Sequence, residues 1–231
     1  MHLAAVEPST LTSAIAAAMA CVSGAGIGRL LAGLHRRGWY RRAGDGPCAP
    51  VPGTSIVLAT AGIWSVLAAT LPAAGLVDAV VLWLDLVVVT VAVLLSAADV
   101  AQRRLPDVGT IPLAALAVAV MLAIGLFGGP SAVVTSRQAL AAGLAVPLVL
   151  AAITLTAGGI GLGDVKLSCS LAVLLGLRGL DAVLTGAFLV VVLAGAWAVL
   201  LLARGRADRH TAIALGPFLT AGTAVALVVG A

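Results

Sequence analysis

Charged residues are scarce in this chain of 231 residues, since Asp, Glu, Lys and Arg together make up only 10% of it. An average soluble domain carries about 25%. Here 62% of the residues are hydrophobic and the mean hydropathy is +1.20, which excludes an ordinary soluble domain. Apolar runs of about 18 residues or more recur along the chain, as expected of membrane-spanning helices. The sequence therefore predicts an all-α, polytopic integral membrane protein.

Cysteine is also scarce, and its placement argues against two kinds of site. The three cysteines, Cys21, Cys48 and Cys169, are odd in number and widely separated. They suggest neither a disulfide framework nor a paired metal motif. We therefore expect no metal ion and no cofactor.

The excess of positive charge is small and dispersed. Lys and Arg number 13 against 9 Asp and Glu, which gives a net charge of +4. The basic residues lie in short loops between apolar runs and form no continuous basic face. The expected surroundings are a lipid bilayer, and nucleic acid is not an expected partner.

Eight apolar runs predict eight transmembrane helices, at about residues 11–34, 55–73, 77–98, 108–128, 138–157, 165–177, 181–203 and 212–230. Glu7 precedes the first run and a basic cluster follows it, which is the reverse of the charge order in a signal peptide. With the N-terminus outside, eleven of the thirteen basic residues lie on the inner side of the membrane, and only Arg137 and Arg178 lie on the outer side. The positive-inside rule thus predicts that both termini lie outside.

Four aspartates lie in or near the predicted spans, where an ionised side chain costs roughly 3 kcal/mol or more. Asp78 is expected at a water-accessible edge. Asp85 is deeper in its span, and we expect it either to pair within the bundle or to remain protonated. Asp99 ends the third span and Asp164 begins the sixth. The predicted topology places these last two at the same inner face.

Two carboxyl groups brought together in a partly dry site favour sharing one proton. The ionised group can then activate water while the protonated group polarises a peptide carbonyl, as in aspartic proteases. Gly161 and Gly163 allow the backbone to unwind beside Asp164 and leave room for an extended substrate strand. Lys166 is expected either to bias which acid holds the proton or to bind a lipid phosphate.

Each of these two aspartates also has a purely structural explanation. Asp164 would make a suitable helix N-cap after a glycine turn, and Asp99 could pair with Arg103 one helical turn further on. The functional alternative is a proton-coupled transporter with Asp85, Asp99 and Asp164 as its relay. A transporter predicts acids near the bilayer midplane and pseudo-symmetric halves. Only Asp85 suits such a depth, and no internal repeat is visible.

Three segments resemble the type IV prepilin peptidases, a family of membrane aspartic proteases. GLGDVKL at residues 161–167 resembles the family's GxGD motif, and DVAQRRLPD at residues 99–107 resembles its first aspartate motif. TAIALGPFLTAG at residues 211–222 resembles the Gly-Pro-Phe-Leu segment before the last span. The resemblance covers about residues 77–231. It implies that Asp99 and Asp164 are the catalytic pair, with a supporting motif of Gly161, Gly163, Lys166, Pro106 and Asp107.

The resemblance also implies a substrate and a location. The substrate would be a prepilin or pseudopilin precursor, with a short basic leader that ends in Gly ahead of an apolar helix. Cleavage would occur at the cytoplasmic face of the cell (inner) membrane, where the charge asymmetry also places both aspartates.

The N-terminal region departs from the larger, bifunctional members of that family. Those members carry a loop with two zinc-binding CxxC pairs, and they methylate the new N-terminus. Here the loop offers only His35 and Cys48, which are too few ligands for a tetrahedral zinc site. We expect residues 1–76 to form a reduced two-span region with a short basic loop, and residues 77–231 to form a six-span peptidase core. Methylation of the product stays open.

Overall fold

The computed structural model describes residues 8–41, 45, 48–71, 75–157, 161–205 and 213–230. Regular secondary structure in these residues is entirely helical. The eight helices are α1 (Pro8–Arg36), α2 (Gly53–Thr70), α3 (Leu76–Gln102), α4 (Asp107–Phe127), α5 (Pro130–Ala157), α6 (Leu162–Arg178), α7 (Leu180–Ala203) and α8 (Gly216–Val229). The predicted all-α class and the eight predicted helices are confirmed.

Two helices begin earlier than the sequence predicted. α5 begins at Pro130 and not near residue 138, because proline is well tolerated at the first position of a helix. α6 begins at Leu162, inside the glycine segment, because Gly161 takes an extended conformation and acts as its N-cap. Glu7 and the predicted start of the last helix at residue 212 lie outside the described residues.

Six of the helices in the described part of the chain are long and apolar enough to cross a membrane: α1 to α5 and α7. α6 and α8 have 17 and 14 residues, or about 26 and 21 Å at the α-helical rise. The hydrocarbon core of a bilayer is about 30 Å thick. Of the eight predicted spans, six therefore have full spanning length. The orientation of the two termini stays a prediction.

The outer surface of the bundle is apolar. On α7, Leu184, Phe188 and Val191 are between 66% and 70% exposed, and Phe127 at the end of α4 is 86% exposed. Soluble monomers rarely display large continuous apolar patches, whereas lipid-facing helices are expected to do so. The chain is therefore a multi-pass membrane protein.

α6 lies at the centre of the bundle and contacts α3, α4, α5, α7 and α8. Its close approach to α5 depends on glycine. A Cβ added at Gly143 would lie 2.6 Å from Cγ2 of Val173, and one added at Gly176 would overlap Cα of Ala139. Such close packing through small residues is typical of membrane helices. It fixes the helix whose first turn carries Asp164.

α1 and α2 pack closely through the pair of glycines in the first span. A Cβ at Gly24 would lie 3.0 Å from Cα of Ala61, and one at Gly28 would lie 2.7 Å from Cα of Val57. Gly26, on the same helix, has nothing within 4 Å of the corresponding position. Gly24 and Gly28 therefore form the contact face of α1 against α2.

We predict that Gly28→Ala lowers the thermal unfolding midpoint of the detergent-solubilised protein, while Gly26→Ala leaves it unchanged or slightly higher. The added methyl at residue 28 meets backbone, and overpacking of this kind costs about 1–3 kcal/mol. At residue 26 the only effect is the better helix propensity of alanine. Equal midpoints for the two variants would contradict the α1–α2 packing.

Candidate active site

Asp99 lies in the last turn of α3 and is only 4% exposed. Its Oδ2 accepts a hydrogen bond of 2.9 Å from the backbone N–H of Gly216, the first residue of α8. The first N–H groups of a helix have no partner within the helix, and the positive end of the helix dipole favours a carboxylate. The start of α8 therefore holds one oxygen of Asp99 in place.

The residue that donates to Asp99 has to be small. A Cβ at Gly216 would lie 3.0 Å from Oδ2 and 3.3 Å from Cβ of Asp99. One turn further along, Oγ1 of Thr220 lies 2.8 Å from Oγ of Ser96, so a second polar contact joins α8 to α3. The sequence signalled Gly216 only as part of the Gly-Pro-Phe-Leu segment and gave it no role.

Asp164 occupies the third position of α6 and is 6% exposed. Its Oδ2 accepts a hydrogen bond of 3.1 Å from the backbone N–H of Gly161, which is the N-cap. This is the reciprocal half of a capping box, in which the N3 side chain reaches back to the N-cap N–H. Asp164 is therefore not the N-cap residue itself. Its Oδ1 is buried and has no partner among the described residues.

Asp99 and Asp164 come together where the end of α3 meets the start of α6, and their carboxyl groups interact electrostatically. Neither belongs to an ion pair of the described residues. Arg103 was a possible partner of Asp99, but it caps α3 in the left-handed conformation, at φ 52° and ψ 43°. Its backbone N–H donates to the carbonyl of Asp99, while the carboxyl group turns to Gly216.

The two aspartate-bearing segments are in direct contact. A Cβ at Gly163 would lie 2.6 Å from Cβ of Leu105, so only glycine allows this approach. Pro106 is the extended N-cap of α4, and Asp107 follows it. Oδ1 of Asp107 lies 2.6 Å from Nζ of Lys166. Both side chains are partly exposed, and such pairs contribute at most about 1 kcal/mol.

These contacts settle the placement of the predicted supporting residues. The structure brings all five of them to the junction of α3, α4 and α6. The Lys166 side chain pairs with Asp107, and the two roles predicted for Lys166 stay predictions. The contact joins the turn after Asp164 to the start of α4.

Cys48 and Ala49, in the segment before α2, lie against the end of α3. The backbone N–H of Ala49 donates to the carbonyl of Ala101, and Nε2 of Gln102 donates to Sγ of Cys48 at 2.7 Å. The ring of His35 stacks on Tyr40, with centroids 4.9 Å apart. Within the described ranges, no three His, Cys, Asp or Glu side chains are grouped as a metal site.

Asp85 lies apart from the other two acids. It is fully buried, and its Oδ2 lies 2.5 Å from Nη2 of Arg178 at the end of α6. Of the two states expected for Asp85, the structure shows pairing within the bundle. Arg178, predicted to lie on the outer side of the membrane, has a side chain that is only 13% exposed. Because Asp85 and Asp99 are nearly four helical turns apart, the structure does not assemble the three-acid relay.

The fold defines a multi-pass membrane protein with two buried carboxyl groups at a junction of helices. Residues 86–200 match the type IV leader peptidase family, and the chain belongs to that family. The predicted family is thus confirmed, and the matched stretch contains both Asp99 and Asp164. Neither the curated proteins nor the solved structures give a significant match.

We predict that Gly216→Ala lowers the leader-peptidase turnover at least about tenfold, or about 1.4 kcal/mol of transition-state free energy. The added methyl would meet the carboxyl group of Asp99 and displace it. The matched control is Gly195→Ala in α7, where nothing lies within 4 Å of the added atom. Turnover is measured in membranes, with accumulation checked by immunoblot. Equal turnover for the two variants would contradict the role of Gly216.

Proposed function

We propose that the chain is an aspartic endopeptidase in which Asp99 and Asp164 cleave the leader from a prepilin or pseudopilin precursor. The observation that carries the proposal is the pair of buried carboxyl groups on α3 and α6 that lie close enough for the charge of one to act on the other. Each group is anchored through one oxygen to a backbone N–H. Both lie inside the stretch that matches the peptidase family.

The proposed reaction needs only water and the two carboxyl groups. The ionised carboxylate takes a proton from water as the water oxygen bonds to the carbonyl carbon of the substrate. The protonated carboxyl group gives its proton to the carbonyl oxygen. Collapse of this tetrahedral species breaks the C–N bond, and the departing nitrogen takes up a proton. The products are a free leader carboxylate and a new N-terminal amine.

The anchoring hydrogen bonds suit this chemistry. They leave Oδ1 of Asp164 as a buried atom without a partner among the described residues, and this atom can bind water or the substrate carbonyl. Anchored oxygens also reduce the reorganisation that the pair needs during reaction. The glycines at residues 161 and 163 keep side chains away from the backbone beside Asp164.

The surrounding charges support a cytoplasmic site in the cell membrane. Arg103 and Arg104 directly follow α3, and Lys166 lies in the first turn of α6. Under the positive-inside rule, these residues belong on the cytoplasmic side. The apolar helix of the precursor would then remain in the membrane while its basic leader is cut at the surface.

The contacts also support residues 77–231 as the peptidase core. The family match covers residues 86–200, but α8 lies beyond it and supplies the backbone N–H that holds Asp99. We propose that the core extends through α8. Residues 1–76 would then be an added two-helix region whose connecting segment packs on the end of α3.

The test is cleavage of a prepilin-type precursor in membranes by the wild type, Asp99→Asn and Asp164→Asn. Each substitution removes one acid–base group but keeps its size, so we expect cleavage to fall by about 10²–10⁴-fold. Asp78→Asn, on the same helix as Asp99, is the matched control and should cleave like the wild type. Mass spectrometry of the product locates the cut bond.

The outcomes separate the parts of the proposal. Wild-type cleavage after the leader Gly, with loss in both variants, supports the paired-aspartate mechanism. Continued cleavage by both variants, each inserted at normal levels, would reject it while leaving the peptidase family assignment intact. An intact precursor with the wild type would reject the proposed substrate.

A further inference from the structure

α3 and α6 are antiparallel neighbours that bring acidic side chains together at two places. At one place the charge of Asp99 acts on Asp164, and at the other Asp85 forms an ion pair with Arg178. Fourteen residues separate Asp85 from Asp99 on α3, and fourteen separate Asp164 from Arg178 on α6. The two contacts are thus spaced equally along both helices.

The spacing places both contacts on one face of each helix. Fourteen residues span about 21 Å and are close to four complete turns of 3.6 residues. Side chains with this separation point in nearly the same direction from the helix axis. The ion pair and the two facing aspartates therefore belong to a single α3–α6 interface, and a shift at one contact moves the other.

Among the described residues, the ion pair of Asp85 and Arg178 has no third charged member. Asp85 is fully buried, and its Oδ1 and Nε of Arg178 have no partner among the described residues. A buried ion pair is a weak source of stability, because desolvation offsets most of the attraction. Its directional geometry can instead select one arrangement of helices. Here, that arrangement is the axial position of α6 along α3.

Apolar contacts alone specify this position poorly. The buried face of α6 is a row of leucines that includes Leu167, Leu171 and Leu174, and α3 presents Val88, Ala92 and Leu95 to the same core. Such side chains attract one another without directional demands. A slip of one residue moves a helix by about 1.5 Å, and a displacement of about 1 Å can cost a hundredfold in rate.

We propose that Asp85 and Arg178 are positioning residues of the peptidase, which set the α3–α6 register and so the separation of Asp99 from Asp164. This inference rests on the proposed function. The ion pair touches neither substrate nor the reacting atoms. It acts through the two helices, about 21 Å away along α3.

The deciding variant is the double substitution Asp85→Leu and Arg178→Met in the full-length protein in its membrane. Replacing a buried ion pair by apolar residues of similar size is commonly neutral or stabilising, so we expect normal accumulation. We also expect kcat for precursor cleavage to fall at least tenfold with KM changed less than threefold. Normal kcat would overturn the inference. Failure to accumulate would also overturn it, since the pair would then serve folding and not register.

A charge reversal provides the rescue test. Asp85→Arg with Arg178→Asp restores an ion pair, and we expect its kcat to exceed that of the apolar double variant at least fivefold. No recovery would show that side-chain size, and not the ion pair, sets the register. The matched control is Asp78→Asn with Arg137→Gln, which removes one carboxylate from α3 and one exposed arginine from α5, and should behave as the wild type.

The same assay keeps this inference separate from the proposed function. Asp99→Asn and Asp164→Asn are measured beside the register variants. If both retain cleavage, the paired-aspartate mechanism fails. If both lose cleavage while the apolar double variant keeps its kcat, only the register inference fails.

Discussion

This structure depends on one constraint. A carboxyl group buried in an apolar bundle needs a hydrogen-bond donor from the protein chain itself. Three aspartates are almost completely buried, and each has one oxygen on such a donor. Asp85 uses the guanidinium of Arg178, whereas Asp99 and Asp164 use the backbone N–H groups of Gly216 and Gly161. Since Arg178 lies on α6 and Gly216 on α8, satisfying Asp85 and Asp99 also fixes how these two short helices sit against α3.

The central helix α6 owes its position to contacts along its whole length. Gly163 brings its first turn against Leu105, and Gly176 brings its last turns against Ala139 of α5. Arg178, its last residue, ties the other end to α3. Glycine permits the close approach of the helices. The ion pair adds a contact with directional geometry to an interface that is otherwise apolar. A helix too short to span the hydrocarbon core is thereby held inside the bundle.

Composition and periodic apolar runs were enough to predict the membrane class and the eight helices, because lipid demands long apolar segments. Local motifs predicted Asp99 and Asp164 as the catalytic pair, which stays a prediction, and both residues lie within the stretch that matches the peptidase family. The hydrogen-bonding and ion-pair partners of Asp99 and Asp85 could not be predicted from the sequence. Gly216 is 117 residues from Asp99, and Arg178 is 93 residues from Asp85. Nothing in either local sequence marks such distant contacts.

The two ends of the α3–α6 interface hold aspartate side chains in different electrostatic surroundings. The carboxyl group of Asp85 lies against the full positive charge of Arg178. Asp164 is held only by a neutral amide, faces a second carboxyl group and keeps one oxygen without a partner in the described chain. One end of the α3–α6 interface therefore holds an ion pair, and the other holds two acids, Asp99 and Asp164, without a cationic partner among the described residues.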